Sequence, residues 1–299
     1  MGVDPSHARG RLLVIGAGPA QLGLLCAARA RGLFVVACDR DPGALALRYA
    51  DRHAPVSTED EEGIERVARR ERVGGLVAPG IDWPVAIAAR IAARLGLPHP
   101  LPPPVAEAAV SKARQRELFA KRGVPQPRSR VLRSVDEAAH VDFPCVVKPP
   151  DRQGQVAVSL VRERSAFGPA VTAALAASRS GAALVEELVE GPEVTVNAFS
   201  VGGRFQPVTV TDRLTAAPPA FGVALAHAWP SGTAVEAPVE AARAAASALE
   251  IEEGPTYTQI RLGAAGPRVI ELAARLGGGH DAELGHAAVG IDLNALTLG

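Results

Sequence analysis

Apolar residues follow two rhythms along this chain, and the change between them falls near residue 105. Before it, short unbroken apolar runs alternate with amphipathic stretches. RLLVIGAG predicts a buried strand and turn, PAQLGLLCAARARG a helix ending on Gly32, and LFVVACDRD a second strand ending in acids. The series continues with a helix (PGALALRYA), a strand around HAPVS, a helix (DEEGIERVARRERV), a strand (GGLVAP) and a helix (DWPVAIAARIAARLGL). Such alternation predicts a parallel sheet with helices on both faces. LPHPLPPPV, residues 97 to 105, carries five prolines and reads as a linker.

Beyond it the pattern changes. VAEAAVSKARQRELFAKRG predicts one helix stopped by Gly123, VPQPRSRVL opens a strand, and FPCVVKPPDRQGQVAVSLV gives two strands around a polar, glycine-containing loop. A helix around FGPAVTAALAASRSG is followed by ALVEELVEG, by EVTVNAFSVGGRFQPVTVTDR, by a Pro/Ala loop and by an Ala-rich helix at 235 to 250. TYTQIRLGAAGPRVIELAARL alternates on both sides of a glycine-containing turn, which predicts a hairpin. The fold class is therefore α/β followed by α+β, a parallel sheet first and antiparallel sheets after it.

Composition narrows the classes. The chain has 299 residues, enough for two or three domains, and 47% hydrophobic content, ordinary for a soluble enzyme. With 32 basic against 32 acidic residues the net charge is +0, so neither a nucleic acid nor a membrane surface is expected as partner. No apolar run approaches the roughly 20 residues of a membrane span, and MGVDPSHARGR lacks the apolar middle of a signal peptide, so the expected location is the cytoplasm. Cys26, Cys38 and Cys145 are odd in number, and each sits in an apolar stretch without CxxC spacing, as core fillers do in a reducing compartment. Lysine is sparse: Lys112, Lys121 and Lys148 stand among arginines. A lysine kept against that bias marks a place where a compact ammonium and a planar fork are not interchangeable.

VIGAGPAQLG, residues 14 to 23, raises the question of a dinucleotide site. Gly16 and Gly18 fit a G-x-G-x-x-G turn and Asp39 lies at the distance of a ribose acid, but Gln21 replaces the third glycine and the next is Gly23. The favoured reading is a tight chain reversal. A small anion at the helix N-terminus and a true dinucleotide site stand as alternatives.

From Lys112 to Arg275 the motifs resemble, in order, those of the ATP-grasp superfamily of carboxylate-amine ligases. Residues 11 to 105 look like the pre-ATP-grasp domain that precedes it. SKARQRELFAKRGVPQP resembles the family's first lysine element and puts that lysine on Lys112; FPCVVKP puts the second on Lys148. PPDRQGQVAV, residues 149 to 158, sits where the family has a glycine-rich loop over the phosphates. Gly154 is present, and Val156 and Ala157 stand where a further small residue is usual. ALVEELVEGPEVTV resembles the adenine strand and hinge. By that likeness Glu186 accepts from the adenine amino group, the main chain at Leu188 and Val189 reads the purine edge, and Glu193 accepts from the ribose hydroxyls. In the hairpin the resemblance places Gln259, Glu271 and Ala273 at the Mg²⁺ positions. Glutamine occupies the first of these in the similar carbamoyl-phosphate synthetases, whereas Ala273 cannot coordinate. Arg275, in ARLGGG, resembles the arginine that touches the transferred phosphoryl group. Gly277 to Gly279 either let the chain pass close to substrate or form a plain turn.

The resemblance implies three segments: a pre-ATP-grasp domain at 10–105, a small lid subdomain with its leading helix at 106–184, and a central subdomain with the metal hairpin at 185–299. It implies an ATP-dependent ligase with ATP and Mg²⁺, joining a small-molecule carboxylate, an amino acid or related acid, to an amine through an acyl-phosphate. Lys148 and Arg275 would be catalytic. An ATP-binding protein with weakened catalysis and an NAD-dependent oxidoreductase are the alternatives, and a homodimer is open. Trp83, Arg213 and His280 are too few to read a substrate from; His280 and His286 lack the spacing of a helical metal pair. Lys121 reads as a helix-end charge.

Overall fold

A computed structural model describes residues 10–137, 141–216 and 221–299; most of the polar start and residues 217–220 of the Pro/Ala loop lie outside that description. The first sheet is built from β1 (Arg11–Ile15), β2 (Phe34–Cys38), β3 (Arg52–Ala54) and β4 (Gly75–Val77), parallel throughout in the order β3-β2-β1-β4. Helices α1 (Leu22–Ala30), α2 (Glu61–Glu71) and α3 (Trp83–Leu95) connect and flank these strands. PGALALRYA forms a 3-10 turn over Leu45–Tyr49 instead of the expected helix.

The proline run is not a linker. Leu101 within it is 4% exposed, and Pro103 opens α4 (Pro103–Ala109), where a residue without an N–H costs the helix nothing. The single helix expected up to Gly123 is two, because Ser111 breaks it. Its side chain accepts from the Arg114 N–H as the N-cap of α5 (Lys112–Arg122), which Gly123 closes at φ +68°.

The lid sheet contains β5 (Ser129–Leu132), β6 (Cys145–Lys148), β7 (Ser159–Val161) and, after α6 (Arg164–Ala177), β8 (Ala183–Glu187). It is antiparallel in the order β5-β8-β6-β7 and closes a core of its own around Leu132, Val147, Phe167 and Val171. The central sheet holds β9 (Glu193–Val201), β10 (Arg204–Thr215), β11 (Ala224–Ala228), β12 (Gly254–Gly263) and β13 (Gly266–Ala273), in the order β11-β10-β9-β12-β13. Helix α7 (Glu236–Ala248) packs on one face. Helices α8 (Asp281–Val289) and α9 (Leu293–Thr297) return to α1. Neither β11 nor α9 is legible as an element in the apolar pattern.

Two expected boundaries move. The division between 184 and 185 cuts β8, whose last residues still pair with β5 and β6. The helices α4 and α5 belong with the central core and not with the lid: Ala106, Ala109 and Phe119 share one apolar cluster with Val196, Ala242 and Leu272. That cluster also takes in Leu13 and Ile15 of the first sheet, so the N-terminal sheet and the central sheet are two walls of one core. Cys38 and Cys145 are buried and unpaired, and burial first of all pushes the Cys38 thiol up to about 12. Among the described residues no helix is long and apolar enough to cross a membrane.

Candidate active site

The opening glycine turn has spent its donors internally. The Gly16 N–H donates to Cys38 O at 2.7 Å, Ala17 N–H to Asp39 Oδ2 at 2.9 Å and Gly18 N–H to Gln21 Oε1 at 2.9 Å. Gln21 in turn donates to Pro79 O at 2.7 Å. The amides of Gly16, Ala17 and Gly18 are thus closed to a phosphate. Gly23 serves packing: a Cβ there would lie 1.5 Å from Glu283 Oε1, so its absence lets the C-terminal helices close against α1.

A second place gathers the chemistry. Between the lid sheet and the central sheet is a cavity of about 100 Å³ whose lining includes Lys112, Lys148, Gly154, Glu186, Leu188, Val189, Glu193, Gln259 and Glu271. Every expected nucleotide and metal residue is on that wall. Each is presented by a different local device. Lys112 is the first residue of α5, fixed by the Ser111 cap; its Nζ lies 2.8 Å from Glu271 Oε1 and donates to Arg152 O at 2.9 Å. Lys148 ends β6, and its Nζ lies 2.6 Å from Glu186 Oε2. The register of β12 against β13 sets Gln259 opposite Glu271 and Tyr257 opposite Ala273.

Glu186 does not present a free carboxylate. Its Oε1 accepts from Arg116 Nε at 2.6 Å while its Oε2 is held by Lys148, and Arg116 also donates to Val269 O and Ile270 O on β13. Burial alone would raise the Glu186 pKa; the charges of Arg116 and Lys148 outweigh it and hold the carboxyl at about 2. For Lys148, burial together with Arg116 and Lys112 lowers the pKa against the pull of Glu186. Glu193 is likewise paired, with Arg213 and with Arg261 Nη2 at 3.1 Å. Nothing local marks Arg116 or Arg261 in a chain so rich in arginine; only the tertiary pairing singles them out.

The loop carries three left-handed residues, Gln155 at φ +62°, Ala157 at +51° and Gly154 at +70°. Its root is fixed by Asp151, which accepts from Ser178, Arg179 N–H and Ser180 N–H. Its tip reaches the opposite lobe where Gln155 Nε2 donates to Gly222 O at 3.2 Å.

Arg275 departs from the expected grouping, since it does not line the cavity. Its Nε donates to Asp82 Oδ1 at 2.7 Å at the start of α3, a carboxylate that sequence reasoning missed. Burial would raise the Asp82 pKa, but the charges of Arg275 and then Lys112 lower it, so one acid joins the arginine to the first lysine. His280 and His286 are exposed, whereas Asp281 points inward. Lys121 lies exposed in the last turn of α5.

The donors for a metal are few. Among the described residues no three His, Cys, Asp or Glu side chains cluster to hold an ion. Glu271 and Gln259 offer one carboxylate and one amide oxygen, and Ala273 offers none. That set suits a single Mg²⁺, which commonly takes one or two carboxylates and completes its shell with substrate phosphates and water.

Comparison with known proteins gives the same fold, with a family match that begins after Lys112. Residues 141–283 match the ATP-grasp domain family. The matched segment, residues 141–283, is an ATP-grasp domain. Among solved structures, the L-amino acid ligase of Bacillus licheniformis superposes with a TM-score of 0.81 at 25% identity, covering 97% of this chain and 73% of that one. Carnosine synthase 1 of Homo sapiens is 28% identical over 303 residues, 90% of this chain and 36% of that protein. The D-alanine–D-alanine ligase of a Synechococcus strain is 31% identical over 133 residues, 42% of this chain and 37% of its own length. The chain thus spans less than half the length of these curated relatives.

Proposed function

We propose that this protein is an ATP-dependent ligase that forms an amide between a small carboxylate and an amine. The observation that carries the reading is the convergence of Lys112, Lys148 and Glu271, from α5, β6 and β13, on the wall of one cavity. The D-alanine–D-alanine ligase and the L-amino acid ligase named above are amino-acid ligases by name, which supports the substrate class.

In this reading the main chain at Leu188 and Val189 takes the purine edge and Glu193 takes the ribose hydroxyls. Glu186 acts through Lys148: clamped by Arg116, it holds that ammonium toward the cavity, which replaces the adenine contact expected of it. Lys112 and Lys148 neutralise the triphosphate from two sides as charge moves in the phosphoryl transfer. Gln259 and Glu271 would hold one Mg²⁺, which supplies further neutralisation of the phosphate oxygens. Attack of the carboxylate on the terminal phosphorus yields an acyl-phosphate and ADP; the amine then displaces phosphate and leaves the amide. Residues 151 to 157 cover the cavity and exclude water from the acyl-phosphate. Arg275, paired with Asp82 outside the cavity wall, would neutralise that intermediate from behind Lys112.

The test is ADP release from Mg-ATP by purified protein across a panel of carboxylate–amine pairs, with product masses on every hit. Amide formation with one ADP per product is expected, and absence of ADP with the whole panel defeats the reading. One observation favours a second reading, a nucleotide binder with weakened catalysis: Ala273 stands where a third metal ligand would. ATP binding without turnover, unchanged in activity by Glu271→Ala, would select it.

A further inference from the structure

Asp281 is the first residue of α8, is 3% exposed, and its Oδ2 has no hydrogen-bond partner among the described residues. It borders a cavity of about 390 Å³ between β10, β11 and α8, a size within the range of small-molecule sites. The cavity lies on the working face of the central sheet: Asn197, in its wall, follows Glu193 and Thr195 at alternate positions along β9 and so shares their side. Trp229 and Leu284 form its apolar rim, while Thr209, Thr211 and His227 supply polar atoms.

Asn197 donates a hydrogen bond to this carboxylate, but its charge has no dedicated cation among the described residues. Arg213 and Arg275 face it from β10 and from the segment after β13, but each is paired with its own acid, Glu193 and Asp82. His227 Nδ1 lies 3.8 Å from Asp281 Oδ1; burial and then Arg213 lower its pKa, which leaves it neutral at pH 7. Glu283 on the same helix adds negative charge, and Tyr257 on β12 brings no cation. Burial pushes the Asp281 pKa up to about 6, so above that pH the group is an ionised, desolvated acceptor. A single carboxylate with hydroxyls and an imidazole is a poor cage for a divalent ion and a good seat for an ammonium.

We propose that this cavity is a subsite for a primary ammonium group carried on an apolar body, with the Asp281 carboxylate as its acceptor and Trp229 and Leu284 against the apolar part. Its assignment to a substrate of the ligation rests on the ligase reading above. The ammonium belongs either to the amine partner or to an amino acid that serves as the carboxylate.

The probes are phenethylamine, the uncharged 2-phenylethanol, 3-phenylpropionate and L-phenylalanine, titrated calorimetrically into the full chain at pH 7.5. Phenethylamine is expected to bind at least tenfold tighter than 2-phenylethanol or 3-phenylpropionate, and Asp281→Asn to erase that preference. The isosteric variant removes a buried unpaired charge, so it is expected to melt no lower than the parent. Leu284→Arg, at the exposed rim, is expected to weaken the amine alone by placing a cation at the mouth. L-Phenylalanine binding tenfold tighter than phenethylamine assigns the ammonium to the amino acid; equal or weaker binding assigns it to the amine. Equal binding of amine and alcohol, or a preference that survives Asp281→Asn, overturns the subsite. Ammonium binding in a protein that never releases ADP leaves the subsite standing and removes the ligase reading. ADP release in Asp281→Asn with an unchanged KM for the amine does the reverse.

Discussion

Lys112 Nζ lies 2.8 Å from Glu271 Oε1, joining the N-terminus of α5 to the β12–β13 hairpin at the cavity wall. Before any nucleotide arrives, the site has paired its own cation with its own anion. In the proposed ligase a triphosphate would compete for the lysine and its counter-ion for the carboxylate, so the two should enter together. Lys112→Met is expected to weaken ATP binding at least tenfold. Glu271→Gln is expected to keep ATP affinity within a few fold but to lose at least a hundredfold in Mg²⁺-dependent ADP release. Calorimetry and a coupled ADP assay on both variants check this, and unchanged turnover in Glu271→Gln contradicts it.

Glu186 ties α5 to the lid through Arg116 and Lys148, and its pKa of about 2 gives that tie a pH window. A carboxyl depressed in the folded state stabilises the fold above its unfolded value, near 4.5, and that contribution is lost as pH falls from there toward 2. The shift corresponds to about 3 kcal/mol at neutral pH. Glu186→Gln, which also strands two buried cations, is expected to cost about that much at pH 7 or more. Urea unfolding of parent and variant at pH 7 and pH 3 should show the gap narrowing at the lower pH; a constant gap contradicts the account.

Gly191 sits between the lid strand β8 and the central strand β9 at φ +135°, and a Cβ there would lie 2.1 Å from Leu262 O, a backbone atom that cannot swing away. Gly191→Ala is expected to destabilise by more than about 2 kcal/mol and to weaken ATP binding by displacing Leu188 and Val189. Gly181→Ala makes the control: φ is +63° there with nothing within 4 Å, so the cost should be about 1 kcal/mol with nucleotide affinity unchanged. Thermal melts and ATP titrations distinguish the two positions.

Local chemistry made much of this fold readable. Strand-length apolar runs, the Gly123 stop and the alternating hairpin each carry their signal within a few residues, and the two lysines stood out because the chain elsewhere uses arginine. The proline run misled because proline both breaks a helix and begins one, and only the buried Leu101 shows which applies. Ser111 was a legible cap; reading the segment as one helix passed over it. What the sequence did not carry is pairing at long range. Arg116 meets Glu186 across 70 positions and Arg275 meets Asp82 across 193, and no periodicity links residues that far apart. Nor did the pattern show that Asp281, and not its neighbour His280, turns inward, since that depends on where α8 lands against β10.

Nucleotide titration tests the central claim most directly. Calorimetry with ATP, with and without Mg²⁺, and with NAD should be run on the parent, on Lys148→Met and on Asp39→Asn at the opening glycine turn. The account predicts that ATP binds the parent, that Lys148→Met loses at least tenfold in affinity, that Asp39→Asn changes nothing, and that NAD gives no heat. Loss of ATP binding in Asp39→Asn with full binding in Lys148→Met would contradict it.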